Sequence, residues 1–430
     1  MGQQTETHSS KSAKGTFLQE LARQINESRK NPALKELESL ERASVKDLVD
    51  GLVRFAYKST ASDIHIDPIE GGTVVRYRID GILHDVLLLE PETHFKVVTR
   101  IKVLSELRTD EHYAPQDGRF RLIVDETPID LRVSISPTFY GENTVLRLLI
   151  GEDDALALED LGFSESDLGR IKRNIAKSYG MIVATGPTGA GKTTTLYALL
   201  DILNSRERSI VTIEDPIEYT VPGVTQIQIN PRTDLTFAKG LRTIVRQDPN
   251  IIMVGEIRDE ETASISVNAA MTGHLLLSTL HTNSASVTLP RLLDMGIEPF
   301  LIASTVNLAI GQRLVRRLCK ECAQKNPISD IERETLQNFV SEEEVAGIKY
   351  SYTPKGCPAC SQSGYTGRVG IYEVLELSEN IKRLVMKREN ATEIQKVAVE
   401  EGMTLMISDG IKKASEGLTS LAEVVRIIQE

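Results

Sequence analysis

The sequence has no tryptophan, only nine phenylalanines and only four cysteines among its 430 residues. Nor does it contain an apolar run near the roughly 18 residues that a membrane-spanning helix needs. Basic residues are the minority among the charged ones, 50 against 61 acidic, which leaves a net charge of −11. Proteins that mainly bind duplex DNA normally carry a basic surface for the phosphates. The charge balance therefore argues against that class, although it leaves room for a local basic patch.

The amino terminus also lacks a secretory signal, because residues 1–6 are polar and no apolar core follows them. We therefore expect a cytoplasmic protein whose contact with a membrane comes through partners. A composition of 40% apolar and 26% charged residues is typical of soluble globular domains. The chain is long enough for two or three of them.

Composition and periodicity divide the first part of the chain into three segments. Residues 1–45 are polar and charged, with apolar positions at helical spacing in 17–25, which predicts a tail or docking arm with one short amphipathic helix. Short alternating runs and a hairpin signal at Asp80-Gly81 predict an α+β domain over 46–150, built largely on antiparallel strands. The acidic stretch 151–160 is typical of an interdomain linker.

Beyond the linker, apolar strands alternate with helical segments over 161–312. This alternation predicts an α/β core with a parallel sheet and helices on both faces. Residues 313–372 contain all four cysteines, and 373–430 have the pattern of a helical carboxyl-terminal region.

The segment 186–193 satisfies the phosphate-loop pattern G-x-x-x-x-G-K-[ST] at every position. It follows an apolar strand and opens a helix, which is the context that the motif requires. Glycines let backbone N–H groups surround phosphate oxygens, and the helix amino terminus adds positive potential. Lys192 should reach the β- and γ-phosphates, and the Thr193 hydroxyl should bind Mg²⁺. We assign ATP binding to Gly186, Pro187, Thr188, Gly189, Ala190, Gly191, Lys192, Thr193 and Thr194.

Three further segments with acidic or histidine side chains adjoin strands of the same core. Glu256 follows an apolar strand at the edge where a carboxylate would hold Mg²⁺ directly or through water. The segment 212–218 carries three acids within five residues, and one of them can polarise an attacking water. The next strand would have a histidine at each end, His274 and His281. Each of these features, taken alone, also fits a solvated turn or a packed side chain.

The cysteines form two Cys-x-x-Cys pairs, Cys319/Cys322 and Cys357/Cys360, separated by 34 residues. In a chain without an export signal, this pattern favours metal binding over disulfides. The two pairs can fold into one tetrahedral site for a structural Zn²⁺, and four thiolates leave no open position for catalysis. Redox-active or incidental thiols are the alternative.

Together, the four segments of the core resemble the secretion ATPase superfamily, which drives type II secretion and type IV pilus assembly. The resemblance covers about residues 45–430 and includes the upstream segments 61–68, 76–81 and 141–147. It implies a RecA-like P-loop ATPase core with a parallel sheet, preceded by a smaller α+β (PAS-like) domain and followed by a zinc-binding insert and a helical region. The cysteine insert is similar to that of the assembly and export branch (GspE- and PilB-like), whereas retraction ATPases usually lack it.

The resemblance also implies roles for single residues. Glu218 is implied as the catalytic base, with Glu214 as the alternative, and Glu256 as the acid on the Mg²⁺ side. His281 is implied as the sensor of the γ-phosphate, with His274 supporting it. Four arginines are assigned to the nucleotide or to the subunit interface: Arg132, Arg147, Arg242 and Arg246.

Members of this superfamily work as hexameric rings, so the resemblance implies a homohexamer peripheral to the inner membrane. Its partners would be the inner-membrane platform and anchor proteins of a secretion or pilus machine, without nucleic acid. ATP would bind between the two domains and close them, and hydrolysis would reopen them through a hinge in 151–160. The expected cofactors are ATP, Mg²⁺ and Zn²⁺.

Other functions stay open at the level of the sequence. A type IV secretion or pilus-retraction ATPase fits the core but not the cysteines. A nucleic-acid translocase also uses a P-loop core, but the acidic balance and the few aromatic residues weaken that interpretation. A scaffold that binds nucleotide without hydrolysing it would leave the acids idle. With about 45 residues ahead of the second domain, we expect the usual docking domain to be largely missing, and the motifs do not separate secretion from pilus assembly.

Overall fold

A computed structural model describes residues 21, 23, 25, 43–149 and 156–429. Contacts divide the chain into two compact units, one of residues 1–151 with 355–366 and another of residues 152–354 with 367–430. Apart from positions 21, 23 and 25, the predicted docking arm up to residue 42 lies outside the described residues. So does the first half of the predicted linker, 151–155.

The first unit is built on a six-stranded sheet with two helices. Its elements are α1 (Val45–Lys58), β1 (Ala61–Ile69), β2 (Gly72–Ile79), β3 (Ile82–Leu89), α2 (Pro91–Leu104), β4 (Gln116–Val124), β5 (Thr127–Thr138) and β6 (Gly141–Leu149). The strand order is β3-β2-β1-β6-β5-β4, and all neighbours are antiparallel. The α+β fold predicted for this part of the chain is confirmed.

The hydrophobic core of this unit lies on one face of the sheet. Alternate side chains of a strand point to the same side, so Ile64 and Ile66 of β1 are buried together with Val97 and Ile101 of α2. The predicted hairpin turn joins β2 to β3. Asp80 and Gly81 have φ values of 48° and 87°, which are the left-handed conformations that a two-residue hairpin turn requires.

Two residues of the predicted amino-terminal helix pack on this unit. Leu21 and Ile25 are buried against Val74, with Ile69 and Leu88 beside them. Their spacing of four places both side chains on one face of a helix. This apolar contact joins the arm to β2.

The second unit is built on a seven-stranded sheet with the order β15-β12-β7-β11-β10-β8-β9. Its strands are β7 (Gly180–Thr185), β8 (Ile210–Glu214), β9 (Thr225–Gln228), β10 (Ile251–Val254), β11 (Leu275–Leu280), β12 (Val306–Leu318) and β15 (Tyr365–Glu376). The pairs from β12 through β9 are parallel. A separate two-stranded sheet pairs β13 (Gln324–Pro327) with β14 (Tyr350–Thr353).

Helices cover both faces of the large sheet. Met181 and Val183 of β7 lie in one hydrophobic core, whereas Ile182 and Ala184 lie in the core on the other side. The predicted parallel α/β arrangement is confirmed. The helices of this unit are α3 (Glu165–Ile175), α4 (Lys192–Leu203), α5 (Phe237–Ile244), α6 (Glu260–Met271), α7 (Ala285–Asp294), α8 (Pro299–Thr305), α9 (Asp330–Gln337), α10 (Glu342–Gly347), α11 (Glu379–Met386), α12 (Ala391–Glu400), α13 (Met406–Ser415) and α14 (Leu421–Gln429).

The cysteine-bearing segment is continuous with the large sheet at both ends. Its predicted first residue, 313, lies within β12, and its predicted last residue, 372, lies within β15. The helical carboxyl-terminal region comes next, as predicted. In the part of the chain that the structure describes, no helix is both long enough and apolar enough to cross a membrane.

Candidate nucleotide and metal sites

The phosphate loop connects β7 to α4 at the carboxyl edge of the parallel strands. Gly186, Gly189 and Gly191 have φ values of 152°, 79° and 82°. A Cβ atom at Gly186 would lie 2.4 Å from the carbonyl oxygen of Gln312, so a larger residue does not fit. Gly191 is the N-cap of α4, and the first N–H groups of that helix have no partner within it. This local geometry suits a phosphate group.

Lys192 folds back onto its own loop. Its Nζ donates to the carbonyl oxygens of Gly186 at 2.8 Å and Pro187 at 3.0 Å. Burial lowers the pKa of the Lys192 ammonium, and the charge of Glu256 partly offsets that effect. A phosphate group carries more negative charge than two carbonyl oxygens, so it would compete for this ammonium.

Gln312 is a residue of this site that sequence reasoning missed. It lies in β12, is fully buried, and its Nε2 donates to the carbonyl of Ala190 at 2.7 Å. Its Oε1 accepts from the Thr195 hydroxyl at 2.8 Å. The side chain therefore holds both the phosphate loop and the start of α4. The sequence signal is an amide directly after the apolar run 308–311.

Glu256 lies just beyond β10 at the same edge of the sheet and is 9% exposed. One carboxylate oxygen accepts from Arg258 at 2.6 Å, and the Nε2 of His281 lies 3.2 Å from the other. The hydrogen bond to Glu256 raises the pKa of the Arg258 guanidinium. The structure thus brings together two predicted residues, Glu256 and His281.

The two predicted histidines lie at opposite ends of β11. His281 follows its carboxyl end, whereas His274 precedes its first residue, with its Nδ1 2.9 Å from the carbonyl oxygen of Ala269. The strand has six residues and runs parallel to β7, first residue beside first residue. At about 3.3 Å per residue, His274 is roughly 20 Å from the phosphate loop. The structure does not bring His274 to this edge.

Glu214, the last residue of β8, is buried in a hydrogen-bond network. The Tyr197 hydroxyl donates to its Oε2, the Thr212 hydroxyl donates to its Oε1 at 2.5 Å, and Gln226 Nε2 donates to the same Oε1 at 3.2 Å. The residue is only 2% exposed. Both carboxylate oxygens therefore accept hydrogen bonds from protein donors.

Glu218 lies four residues further along the turn, and its side chain is half-buried. Its backbone N–H donates to the Tyr197 hydroxyl, which is the same hydroxyl that donates to Glu214. Of the two candidate bases, Glu218 is thus the one with the more accessible carboxylate.

Arg242 and Arg246 are exposed, in α5 and just beyond it. The guanidinium of Arg242 pairs with Glu261 of α6 at 2.6 Å. Both therefore lie on a surface that another molecule can reach.

Arg132 and Arg147 lie side by side in the first unit. They are paired across β5 and β6, and Arg119 of β4 is opposite Arg132. The Nε of Arg147 donates at 2.9 Å to Asp63, which is 4% exposed. Three arginines beside one carboxylate give this row of the sheet a positive charge, which suits an anionic partner.

The four cysteines converge, with all Sγ atoms within 4.8 Å of one another. None of the four is in a disulfide. A Zn–S distance of about 2.3 Å places tetrahedral sulfurs about 3.8 Å apart, and the Sγ atoms of Cys357 and Cys360 are 3.7 Å apart. The Sγ of Cys360 also accepts the backbone N–H groups of Cys357 and Gly364, each at 3.2 Å. Such bonds stabilise a thiolate, so these residues fit a structural Zn²⁺.

The sequence is similar to those of known secretion proteins. The model of the family described as "Type II/IV secretion system protein" matches residues 38–426. The type II secretion system protein HxcR of Pseudomonas aeruginosa is 44% identical over 394 residues, which cover 92% of this chain and 79% of that protein. The type II secretion system ATPase E of Vibrio cholerae is also 44% identical over 394 residues, with 92% and 77% covered.

Solved structures of ATPases have the same fold. The ATPase DotB of Legionella pneumophila matches with a TM-score of 0.64 and 22% identity, covering 88% of this chain and 95% of that one. The pilus retraction motor PilT with bound ADP matches with a TM-score of 0.59 and 24% identity, covering 88% and 96%. At these identities the likeness shows the fold alone. It confirms the predicted α/β core with a parallel sheet, preceded by a smaller α+β domain.

Proposed function

The chain belongs to the Type II/IV secretion system protein family, and on that basis we propose that it is a motor ATPase that hydrolyses ATP to power type II protein secretion or type IV pilus assembly through an inner-membrane platform. One observation carries the proposal. The glycine loop with Lys192, the acid Glu256 and the acid Glu218 follow the carboxyl ends of β7, β10 and β8, which run parallel in one sheet. ATP hydrolysis requires a loop that cradles the phosphates, an acid on the side of the metal ion and a base, and these three groups would supply them.

In the proposed reaction, Lys192 leaves the carbonyls of Gly186 and Pro187 and binds the phosphate oxygens of ATP. Glu218 accepts a proton from the attacking water. The water oxygen bonds to the γ-phosphorus while the bond from that phosphorus to the β,γ-bridging oxygen breaks, which releases ADP and phosphate. His281, which contacts Glu256, would sense the γ-phosphate. We assign no phosphate contact to His274.

Thr193 and Glu256 would hold Mg²⁺. Their hydroxyl and carboxylate oxygens are the hard ligands that this ion prefers, and Glu256 lies at the sheet edge beside the phosphate loop. When bound, the ion neutralises charge on the β- and γ-phosphates. The four cysteines would hold a structural Zn²⁺, which has no part in the reaction because four thiolates leave no coordination position open.

The proposal extends to the assembly. A homohexamer at the inner membrane would engage the platform and anchor proteins of the machine, and residues 151–160 would act as the hinge between the two units. Four arginines are assigned to the nucleotide or to a neighbouring subunit: Arg132, Arg147, Arg242 and Arg246. Stiffening the hinge should spare ATP binding and abolish turnover, so unchanged turnover would count against that part of the proposal.

The decisive experiment compares Lys192→Ala with Lys396→Ala in purified protein. Lys396 is exposed and pairs only with a neighbouring glutamate on α12 among the ion pairs of the described chain, so its loss controls for removing a surface charge. We expect release of phosphate from ATP by the unaltered chain and by Lys396→Ala, and none by Lys192→Ala. Equal hydrolysis by Lys192→Ala would refute the motor assignment. Deleting the gene and testing for loss of pili or of secreted proteins would then identify the machine.

A further inference from the structure

Tyr197 lies between the two candidate bases and contacts both. Its ring is buried, 2% exposed, and its hydroxyl donates to the carboxylate of Glu214. The same oxygen accepts the backbone N–H of Glu218. The ring of Tyr219 packs edge-on against it, with ring centroids 4.6 Å apart. One phenol therefore links the end of β8 to the turn that carries Glu218.

Gln226 of β9 forms hydrogen bonds with the far end of the same turn. The Nε2 of Gln226 donates to the carbonyl of Tyr219 at 3.1 Å, and its Oε1 accepts the backbone N–H of Val221 at 2.8 Å. The same Nε2 lies 3.4 Å from the Tyr197 hydroxyl. The segment from Glu214 to Val221 is thus held at both ends by side chains that meet at Tyr197.

Tyr197 also has a fixed relation to the phosphate loop. It lies in α4, four residues after Thr193, so the two residues project from the same face of the helix one turn apart. An α-helix rises 1.5 Å per residue, so this spacing is rigid. α4 would present the Thr193 hydroxyl to Mg²⁺. The same helix therefore also sets the position of the turn that carries Glu218.

We propose that Tyr197 is a positioning residue, which places Glu218 relative to the phosphate loop, and that Glu214 anchors the Tyr197 hydroxyl instead of serving as the base. The inference rests on the proposed ATPase function. The role given to Glu214 follows from the hydrogen bonds that its carboxylate already accepts, from Tyr197, Thr212 and Gln226. Protein donors thus occupy three of the roughly four lone-pair positions of the Glu214 carboxylate, whereas the side chain of Glu218 is less buried.

The test is Tyr197→Phe, which removes one oxygen and keeps the ring. Without the hydroxyl the turn loses its hydrogen bond to α4, and a displacement of about 1 Å in a reacting group can cost on the order of a hundred-fold in rate. We expect kcat for ATP hydrolysis to fall between about ten-fold and a hundred-fold. The KM for ATP and the direct binding of ATP, measured by calorimetry, should stay within about two-fold, because the phosphate loop is intact.

A matched control removes a different buried phenol oxygen. Tyr372 is 2% exposed and its hydroxyl donates to the carbonyl of Leu161 at 3.0 Å, away from the acidic turn. Tyr372→Phe should lower the melting temperature about as much as Tyr197→Phe and leave kcat unchanged. If both variants lower kcat equally, Tyr197 is merely structural and the inference fails.

The double variant with Glu218→Gln separates positioning from an independent effect. If Tyr197 acts through Glu218, adding Tyr197→Phe to Glu218→Gln should slow hydrolysis no further. If the rate losses of the two single variants multiply in the double variant, the inference is overturned. An unchanged kcat in Tyr197→Phe alone would also overturn it.

If Tyr197→Phe does not fold, Glu214→Gln takes its place as the test. It should lower kcat by less than Glu218→Gln does, and a greater loss would identify Glu214 as the base. Failure of the ATPase function itself would appear separately, as absence of hydrolysis by the unaltered chain.

Discussion

The side-chain amide of Gln312 lies 2.7 Å from the carbonyl oxygen of Ala190, so a strand of the large sheet holds the phosphate loop from behind. The same side chain accepts the hydroxyl of Thr195. A buried amide with both ends satisfied rigidifies its partners, and removing it leaves them unpaired in the interior.

We predict that Gln312→Ala weakens ATP binding by roughly ten-fold and lowers the free energy of unfolding by about 1–3 kcal/mol. The loop would lose its support while the reacting groups stay in place, so the KM should rise more than kcat falls. Calorimetric binding and steady-state kinetics measure the two effects. Gln324→Ala, at an exposed position in β13, is the control and should change neither. Full ATP affinity in Gln312→Ala would show that the amide is not needed.

Parts of this site could be predicted because they depend on local patterns. The glycine loop follows an apolar strand, and the carboxyl ends of parallel strands meet at one edge, so Lys192 and Glu256 were expected to lie near each other. The hairpin at Asp80-Gly81 depends on two adjacent residues. The convergence of the two cysteine pairs is explained by the ligand number of Zn²⁺.

Other parts depend on contacts between distant segments, which one sequence does not display. Gln312 meets Ala190 because β12 pairs with β7, and Tyr197 meets Glu218 because β8 ends beside α4. The predicted boundary at 312/313 lies inside β12, because this strand continues to Leu318, directly before the first cysteine. His274 and His281 share one motif, yet a six-residue strand separates them.

The conformation of Gly186 supports a second prediction. Its φ is 152°, and a Cβ atom would lie 2.4 Å from a backbone oxygen of Gln312. Gly186→Ala should therefore displace the loop and abolish measurable ATP binding. Gly81→Ala is the control, because Gly81 also has a positive φ, 87°, but nothing within 4 Å of the added atom. It should cost about 1 kcal/mol of stability and leave ATP binding intact. Tight ATP binding by Gly186→Ala would contradict the prediction.

The cysteine cluster supports a third prediction. Purified protein should contain about one zinc ion per chain by elemental analysis. Cys360→Ser should lose the ion and lower the melting temperature, because the cluster joins the segments that carry its two cysteine pairs. A strong chelator should do the same to the unaltered chain. Loss of zinc without a change in melting temperature would mean that the ion is not structural, and absence of zinc from the purified protein would contradict the metal site itself.

The last prediction concerns stability in acid and rests on Glu423. Its side chain is 1% exposed and accepts hydrogen bonds from Arg316 at 2.8 Å and Arg426 at 2.7 Å. Burial opposes its ionisation, but the hydrogen bonds from Arg426 and Arg316 outweigh that effect and lower the pKa of the Glu423 carboxyl to about 2. A carboxyl whose pKa is lower in the folded state stabilises the fold fully above its ordinary pKa of 4.5 and loses that contribution as the pH falls toward 2.

We expect the contribution of Glu423 to the free energy of unfolding to drop by about 2 kcal/mol between pH 6 and pH 3, measured by urea denaturation. Glu423→Gln should be less stable than the unaltered chain at pH 6, and this difference should shrink by about 2 kcal/mol at pH 3 and close only as the pH falls to about 2, because protonated glutamate and glutamine are both neutral. A constant difference between the two proteins across this range would show that the charge of Glu423 is not what stabilises the carboxyl-terminal helix.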